Sequence, residues 1–167
     1  MKSNGEGSIM KNLNLDSDIQ LLPLIMKLQT KLTSVVNNAL FSYGIRYPQY
    51  RLLQILSTSD RLNPSYCARQ LSIESSSMTK QIDALEKLRL ISRQYDNNDR
   101  RFVWIQINQE GKTVAAAARE AVNLSMNEFL SELKTQKLDS FIDMCRAMLS
   151  LANYPIQPDD TTEASQL

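Results

Sequence analysis

Histidine is absent from the 167 residues, cysteine occurs twice, glycine four times and tryptophan once. Each shortage closes off a class of function. Without imidazole, histidine-based acid–base catalysis and most zinc sites are excluded. Cys67 and Cys145 each sit in an apolar helical context and do not make a disulfide framework; both are expected to fill core as small hydrophobes. There is no glycine-rich phosphate loop and no metal-ligand cluster, so no enzyme activity, catalytic residue, metal or cofactor is expected. No run of about 18 apolar residues is long enough to span a membrane. The first residues, with Gly5, Glu6 and Gly7, lack the charged-then-apolar pattern of a signal peptide. A cytoplasmic location without membrane contact is the expectation.

What remains is the composition of an ordinary globular domain, 43% hydrophobic and 22% charged, in a chain of about one domain's length. The net charge of +1 conceals an uneven distribution. Residues 61–112 carry 9 basic against 6 acidic groups, a balance of +3, whereas residues 113–167 carry 4 against 8, or −4. A small basic excess is a weak signal for a polyanion partner by itself. It gains meaning from where its arginines fall.

Residues 1–15 are polar and read as a flexible arm. From Asp16 to about Tyr43 one long helix is predicted, capped by Asp16 or Ser17. Its apolar positions from Leu21 to Leu40 recur at three- and four-residue steps. Pro23 is taken as tolerable in a first turn, and Gly44 as the stop. Pro48 opens the next helix, with Tyr50, Leu52, Leu53, Ile55 and Leu56 facing inward. Asn63-Pro64 repeats the start signal for a short helix to Leu71, with Tyr66, Cys67, Ala68 and Leu71 as candidate core. Beyond residue 108, Asn108 caps a helix to about Leu133, and Thr135 to Asn153 forms the last. The acidic, polar stretch 154–167 reads as a disordered tail.

The segment between these helices, Ser75 to Asn108, carries the functional signal. Ser75 to Lys87 reads as a helix with Met78, Ile82 and Leu85 on one side and Ser76, Ser77, Lys80, Ala84 and Lys87 on the other. Small hydroxyls and a lysine allow a helix to sink into the major groove and meet base edges and phosphates. Leu90 to Tyr95 and Phe102 to Asn108 alternate with period two, as the arms of a hairpin do. Between them lies the tip Asp96-Asn97-Asn98-Asp99-Arg100-Arg101, where an arginine held by Asp99 suits a narrow, negative minor groove. Two short helices and a three-residue link, followed by such a hairpin, are the pattern of a winged helix-turn-helix.

From about Pro48 to Gly111 these residues resemble the MarR family of winged-helix transcription regulators. The likeness is carried by Ser76-Ser77-Met78-Thr79-Lys80, Leu85-Glu86-Lys87, Leu90-Ile91-Ser92-Arg93, the tip Asp96 to Arg101, and Ile105 to Gly111. The resemblance implies a mainly α fold with a small β-hairpin wing. Residues 47–112 would form the DNA-binding domain, and 16–46 with 113–153 a helical dimerisation region built from both chain ends. It implies that Ser75, Ser76, Ser77, Thr79 and Lys80 meet the major groove, and that Arg100 or Arg101, positioned by Asp99, enters the minor groove. Three positions depart from the family pattern. Arg89 replaces a usual glycine, which requires either a different turn or a left-handed arginine. Asn97 replaces a usual proline, and Asn108 a usual threonine.

The expected function is therefore sequence-specific binding of double-stranded DNA as a homodimer, as a transcriptional regulator and more specifically a repressor, on a pseudo-palindromic operator. A small aromatic or anionic effector is expected at Arg46, Tyr47 and Tyr50, where a guanidinium and two rings suit a carboxylate-bearing ring. The alternatives are a winged helix used for protein–protein contact, or a redox-sensing regulator acting through Cys67 or Cys145.

Overall fold

The computed structural model describes residues 15–59, 61–95, 103–133 and 135–151. Helix α1 spans Leu15–Leu40 and closes through a 3-10 turn at Phe41–Tyr43. Gly44 stops it in the left-handed conformation at φ 68°, its N–H donating to the Phe41 carbonyl at 3.1 Å, which a glycine does without steric cost. Pro23 sits inside the helix, not in its first turn as expected, so the carbonyl four residues back is denied its N–H donor.

Helices α2 (Tyr47–Ser57) and α3 (Pro64–Leu71) begin at their prolines, as the sequence predicts. At α2 the Arg46 N–H donates to Gln49 Oε1 at 2.7 Å, and the Tyr47 N–H to Asn37 Oδ1 of α1 at 2.8 Å. At α3 the Tyr66 N–H donates to Asn63 Oδ1 at 2.7 Å, a side-chain cap. Tyr66 itself departs from expectation: it is 38% exposed. In an eight-residue helix only one stripe faces inward, and Cys67 and Ala68 occupy it.

Helix α4 covers Ser75–Lys87, followed by an antiparallel hairpin of β1 (Ile91–Tyr95) and β2 (Val103–Ile107). The register pairs Ile91 with Ile107, Arg93 with Ile105 and Tyr95 with Val103. Leu62 adds one rung beside β2, exchanging both backbone hydrogen bonds with Ile105 at 3.0 and 2.7 Å. Helix α5 runs Gln109–Leu130 from an Asn108 cap, whose Oδ1 accepts from the Gly111 N–H at 2.8 Å. It ends three residues earlier than expected. Helix α6 is Thr135–Leu151. The expected arm (apart from Leu15, which opens α1), the tail 154–167 and the wing tip lie outside the described residues.

Among the described residues one core gathers around α2. Leu52, Leu53 and Leu56 are fully buried there, against Cys67 of α3, Met78, Ile82 and Leu85 of α4, Ile105 of β2 and Ala118 of α5. Helix α1 contributes only Val36 and Leu40 among its described side chains, and α6 contributes no buried residue. Leu21, Leu22, Leu24, Ile25, Met26 and Leu28 of α1 are instead exposed, as are Phe141, Ile142, Met144, Met148, Leu149 and Leu151 of α6. Between the two helices lies an apolar cleft of about 520 Å³, with Tyr47 and Met126 in its wall.

Candidate nucleic-acid interface

Helix α4 is held by the triad predicted for it. Met78, Ile82 and Leu85 are 1%, 1% and 0% exposed, and that spacing rolls the opposite face outward. On that face Ser75, Ser76, Thr79 and Lys80 are exposed, while Ser77 and Ala84 are half-buried at its edge. The Thr79 hydroxyl donates to the Ser75 carbonyl at 3.0 Å. Its proton is thereby occupied, and its oxygen lone pairs are left to accept from outside.

Two residues in the left-handed region bracket α4. Ser72, at φ 51°, turns the chain out of α3. Its N–H donates to the Arg69 carbonyl at 3.1 Å and the Ile73 N–H to the Ala68 carbonyl at 3.0 Å, which makes the three-residue link tight. Arg89, at φ 58°, turns the chain out of α4 into β1. The second of the two geometries open to this position, a left-handed arginine, is the one adopted.

The Arg89 joint is braced from the far end of the hairpin. The Asn108 side-chain amide donates to the Arg89 carbonyl, and the Asn108 N–H to the Leu90 carbonyl at 3.1 Å. The same Asn108 caps α5 through its Oδ1. Gly111 completes the joint: a Cβ there would lie 2.1 Å from the Leu90 carbonyl oxygen and 2.8 Å from Ile107 Cγ1. Helix α4, both strands and α5 thus meet at one point, with no space for a side chain between them.

Further out, Arg93 of β1 binds two carboxylates of α4, Asp83 and Glu86, one through each terminal guanidinium nitrogen. Partial burial works to lower its pKa, but the hydrogen bonds and charges of Asp83 and Glu86 outweigh that and hold it above the ordinary value. In the sequence Arg93 is legible as one position of an alternating strand and of the stretch Leu90-Ile91-Ser92-Arg93, but not as a partner of α4. On the other face of the hairpin, the Arg61 guanidinium lies 4.8 Å from the centre of the Trp104 ring, a cation–π contact.

The structure brings Ser75, Ser76, Ser77, Thr79 and Lys80 onto the first turns of one helix, α4. Asp99, Arg100 and Arg101 lie outside the described residues. Of the junction residues, Arg46 is exposed ahead of α2 and Tyr47 borders the α1–α6 cleft. Tyr50 is buried, and its hydroxyl accepts from Gln54 Nε2 at 2.8 Å. Cys67 is fully buried, which pushes its thiol up to about 11, whereas Cys145 is half-buried on the cleft wall.

A helix-turn-helix whose second helix is polar outward, followed by a two-stranded hairpin and flanked by long helices, is a winged-helix protein of the DNA-binding class. Residues 45–103, the winged-helix segment, match the model of the MarR family. The chain is 27% identical over 149 residues to the transcriptional repressor MprA of Escherichia coli K12, covering 88% of this chain and 85% of that protein. It is 26% identical over 132 residues to the HTH-type transcriptional regulator PapX of Escherichia coli, covering 78% and 80%. Among solved structures, the transcriptional regulator BldR of Sulfolobus solfataricus superposes with a TM-score of 0.70 at 26% identity, covering 82% of this chain and 97% of that one. A cysteine-to-serine mutant of MarR from E. coli, solved with operator DNA, shares the fold at a TM-score of 0.73 and 19% identity, covering 81% and 98%. Transcription regulation through DNA binding is therefore the class of activity.

Proposed function

We propose that the chain is a homodimeric repressor that binds a pseudo-palindromic operator through two winged helices. The observation that carries this reading is the outward face of α4: Ser75, Ser76, Thr79 and Lys80 stand clear of the core at the helix start, where N–H groups and a positive dipole end also favour phosphate. On this reading Ser76, Ser77 and Thr79 meet base edges, Ser75 and Lys80 meet phosphates, and Arg100 or Arg101 enters the minor groove beside Asp99. Residues 47–112 form the DNA-binding unit, and 16–46 with 113–153 form the dimerisation region.

The dimer reading rests on the exposed apolar side chains of α1 and α6. So large an apolar surface signals a contact. A two-fold pair then places the α4 helices on half-sites about one helical turn, or roughly 10 bp, apart. Release by a small aromatic or anionic effector at the α1–α2 junction is the remaining part of the proposal. Arg46 would take the anion, Tyr47 would meet the ring, and Tyr50 would support Tyr47 from within.

Selection of bound duplexes from a random pool tests the whole reading. The expected result is a two-fold symmetric motif whose half-sites are one turn apart. Recovery of no motif would overturn it. Arg100→Ala with Arg101→Ala tests the wing: affinity for the selected duplex drops while the oligomeric state stays the same. Unchanged affinity would instead leave the hairpin for contact with another protein.

A further inference from the structure

We infer that Arg93 is a positioning residue that holds the wing and the recognition helix together as one rigid reader of DNA. This rests on the reading above, in which α4 and the hairpin engage the same duplex.

A two-stranded hairpin is marginally stable by itself and needs packing to keep its orientation. Here full burial is confined to the root, and Val103 at the outer end of β2 is only partly buried against the core. Ile91, Ile105 and Ile107 are 3%, 0% and 4% exposed, and Leu62 pairs with Ile105. Further along β1 the side chains lose the core: Gln94 and Tyr95 are both exposed. Arg93 is the outermost described residue of β1 that is tied to α4, and the tie is made by charge rather than by apolar contact.

Its form suits the task. Asp83 and Glu86 are three residues apart on α4 and so share a face. The planar guanidinium offers two N–H edges in a fixed fork, one for each carboxylate. A lysine ammonium carries the same charge but is a point donor on a flexible stem and cannot impose that orientation. The Arg93 side chain is 23% exposed against 59% and 39% for its partners, so the cation is the sheltered member. Asp83 lies one turn beyond Thr79 and Lys80 on the same helix. Arg93 therefore links the second half of α4, the helix whose start reads one groove, to the strand that leads to the other. It also offsets one of the two negative charges that Asp83 and Glu86 bring to α4.

The test is a double-mutant cycle read as duplex affinity, using the full chain and a duplex recovered from the random pool. The cost of Arg100→Ala plus Arg101→Ala is measured in the wild type, in Arg93→Lys, in Arg93→Met, and in Asp83→Asn with Glu86→Gln. The last pair changes only exposed or half-exposed side chains and guards against a variant that fails to fold; thermal melting confirms a folded state for each. If Arg93 positions the wing, the tip arginines lose value in all three backgrounds, with their cost falling by about threefold or more, the scale of coupling between residues of one network. A merely structural role lowers affinity by the same factor with and without the tip arginines; an unchanged ratio would overturn the inference. So would an unchanged tip-arginine cost in Arg93→Lys beside a reduced one in Arg93→Met, because charge alone would then suffice. If the tip arginines have no effect in the wild type, the wing reading itself fails and this inference goes with it.

Discussion

Arg89 carries the least comfortable backbone in the DNA-binding region. Its φ of 58° places an L-residue where Cβ crowds the following carbonyl, at a cost of roughly 1–2 kcal/mol. The side chain is exposed, so little packing offsets that cost. Arg89→Gly relieves the crowding but makes the unfolded chain more flexible. A net stabilisation of about 0.5–1 kcal/mol is expected, read as a higher denaturant midpoint at unchanged slope; a lower midpoint would show that the arginine makes a contact worth more than the strain. Cys67 makes the opposite kind of statement. Its thiol is buried and held up to about 11 against an ordinary 9.0, so at neutral pH it is protonated and a poor nucleophile. In native protein, iodoacetamide should spare Cys67 until the chain unfolds. The linkage has a definite sign. Between pH 9.0 and about 11 the unfolded chain sheds the Cys67 proton while the folded chain keeps it. Stability therefore falls as pH rises through that window, and a Cys67→Ala variant should lack that part of the alkaline slope.

At the scale of elements, what could be read in the sequence followed from periodicity and from capping chemistry. Helix α4 is predicted as Ser75–Lys87 and found there, because Met78, Ile82 and Leu85 repeat at helical spacing behind a polar link. The Asn63 and Asn108 caps are equally legible, since an Asn before a helix start has one common use. Other features leave no periodic trace. The Leu62–Ile105 rung is one residue long. The Arg93 tie to Asp83 and Glu86 spans elements whose alternation or helical repeat is satisfied whether or not they touch. Nor does the sequence choose between the two geometries open to Arg89. Gly111 shows the same limit from the other side: its role is set by Leu90 and Ile107 closing over it, which only the folded chain reveals. Gly111→Ala places a methyl group against a backbone carbonyl that is itself bonded to Asn108. Neither strand root nor helix start can yield cheaply there, so a loss of about 3 kcal/mol or more is expected. A melting temperature within a degree of wild type would mean that the joint opens more easily than its geometry indicates.

The whole molecule is divided between a core that closes around α2 and two helices that do not close. Upstream of Leu32 the described face of α1 is exposed throughout, and α6 has no buried residue. Apolar surface left in water at this density is unfavourable by about 25 cal/mol for each Å², so a second copy covering it is the economical arrangement. A cleft between α1 and α6 with Tyr47 in its wall then makes the same region both the proposed dimer seam and the border of the DNA-binding unit. Leu24 and Met144, 60% and 56% exposed, face outward on the two helices. Charging both, Leu24→Glu with Met144→Glu, should leave the winged helix folded, because neither side chain belongs to the core cluster, while converting a dimer to a monomer in sedimentation. Each monomer would then hold one half-site alone and lose the effective concentration that a linked second reader supplies, so affinity for the full duplex should fall by roughly 10²–10⁴. Affinity for an isolated half-site should stay level, because the reading face of α4 is untouched. A wild-type chain that sediments as a monomer at all dilutions, or a charged variant that binds the full duplex as tightly as wild type, would remove the dimer from the mechanism and leave each winged helix to act alone.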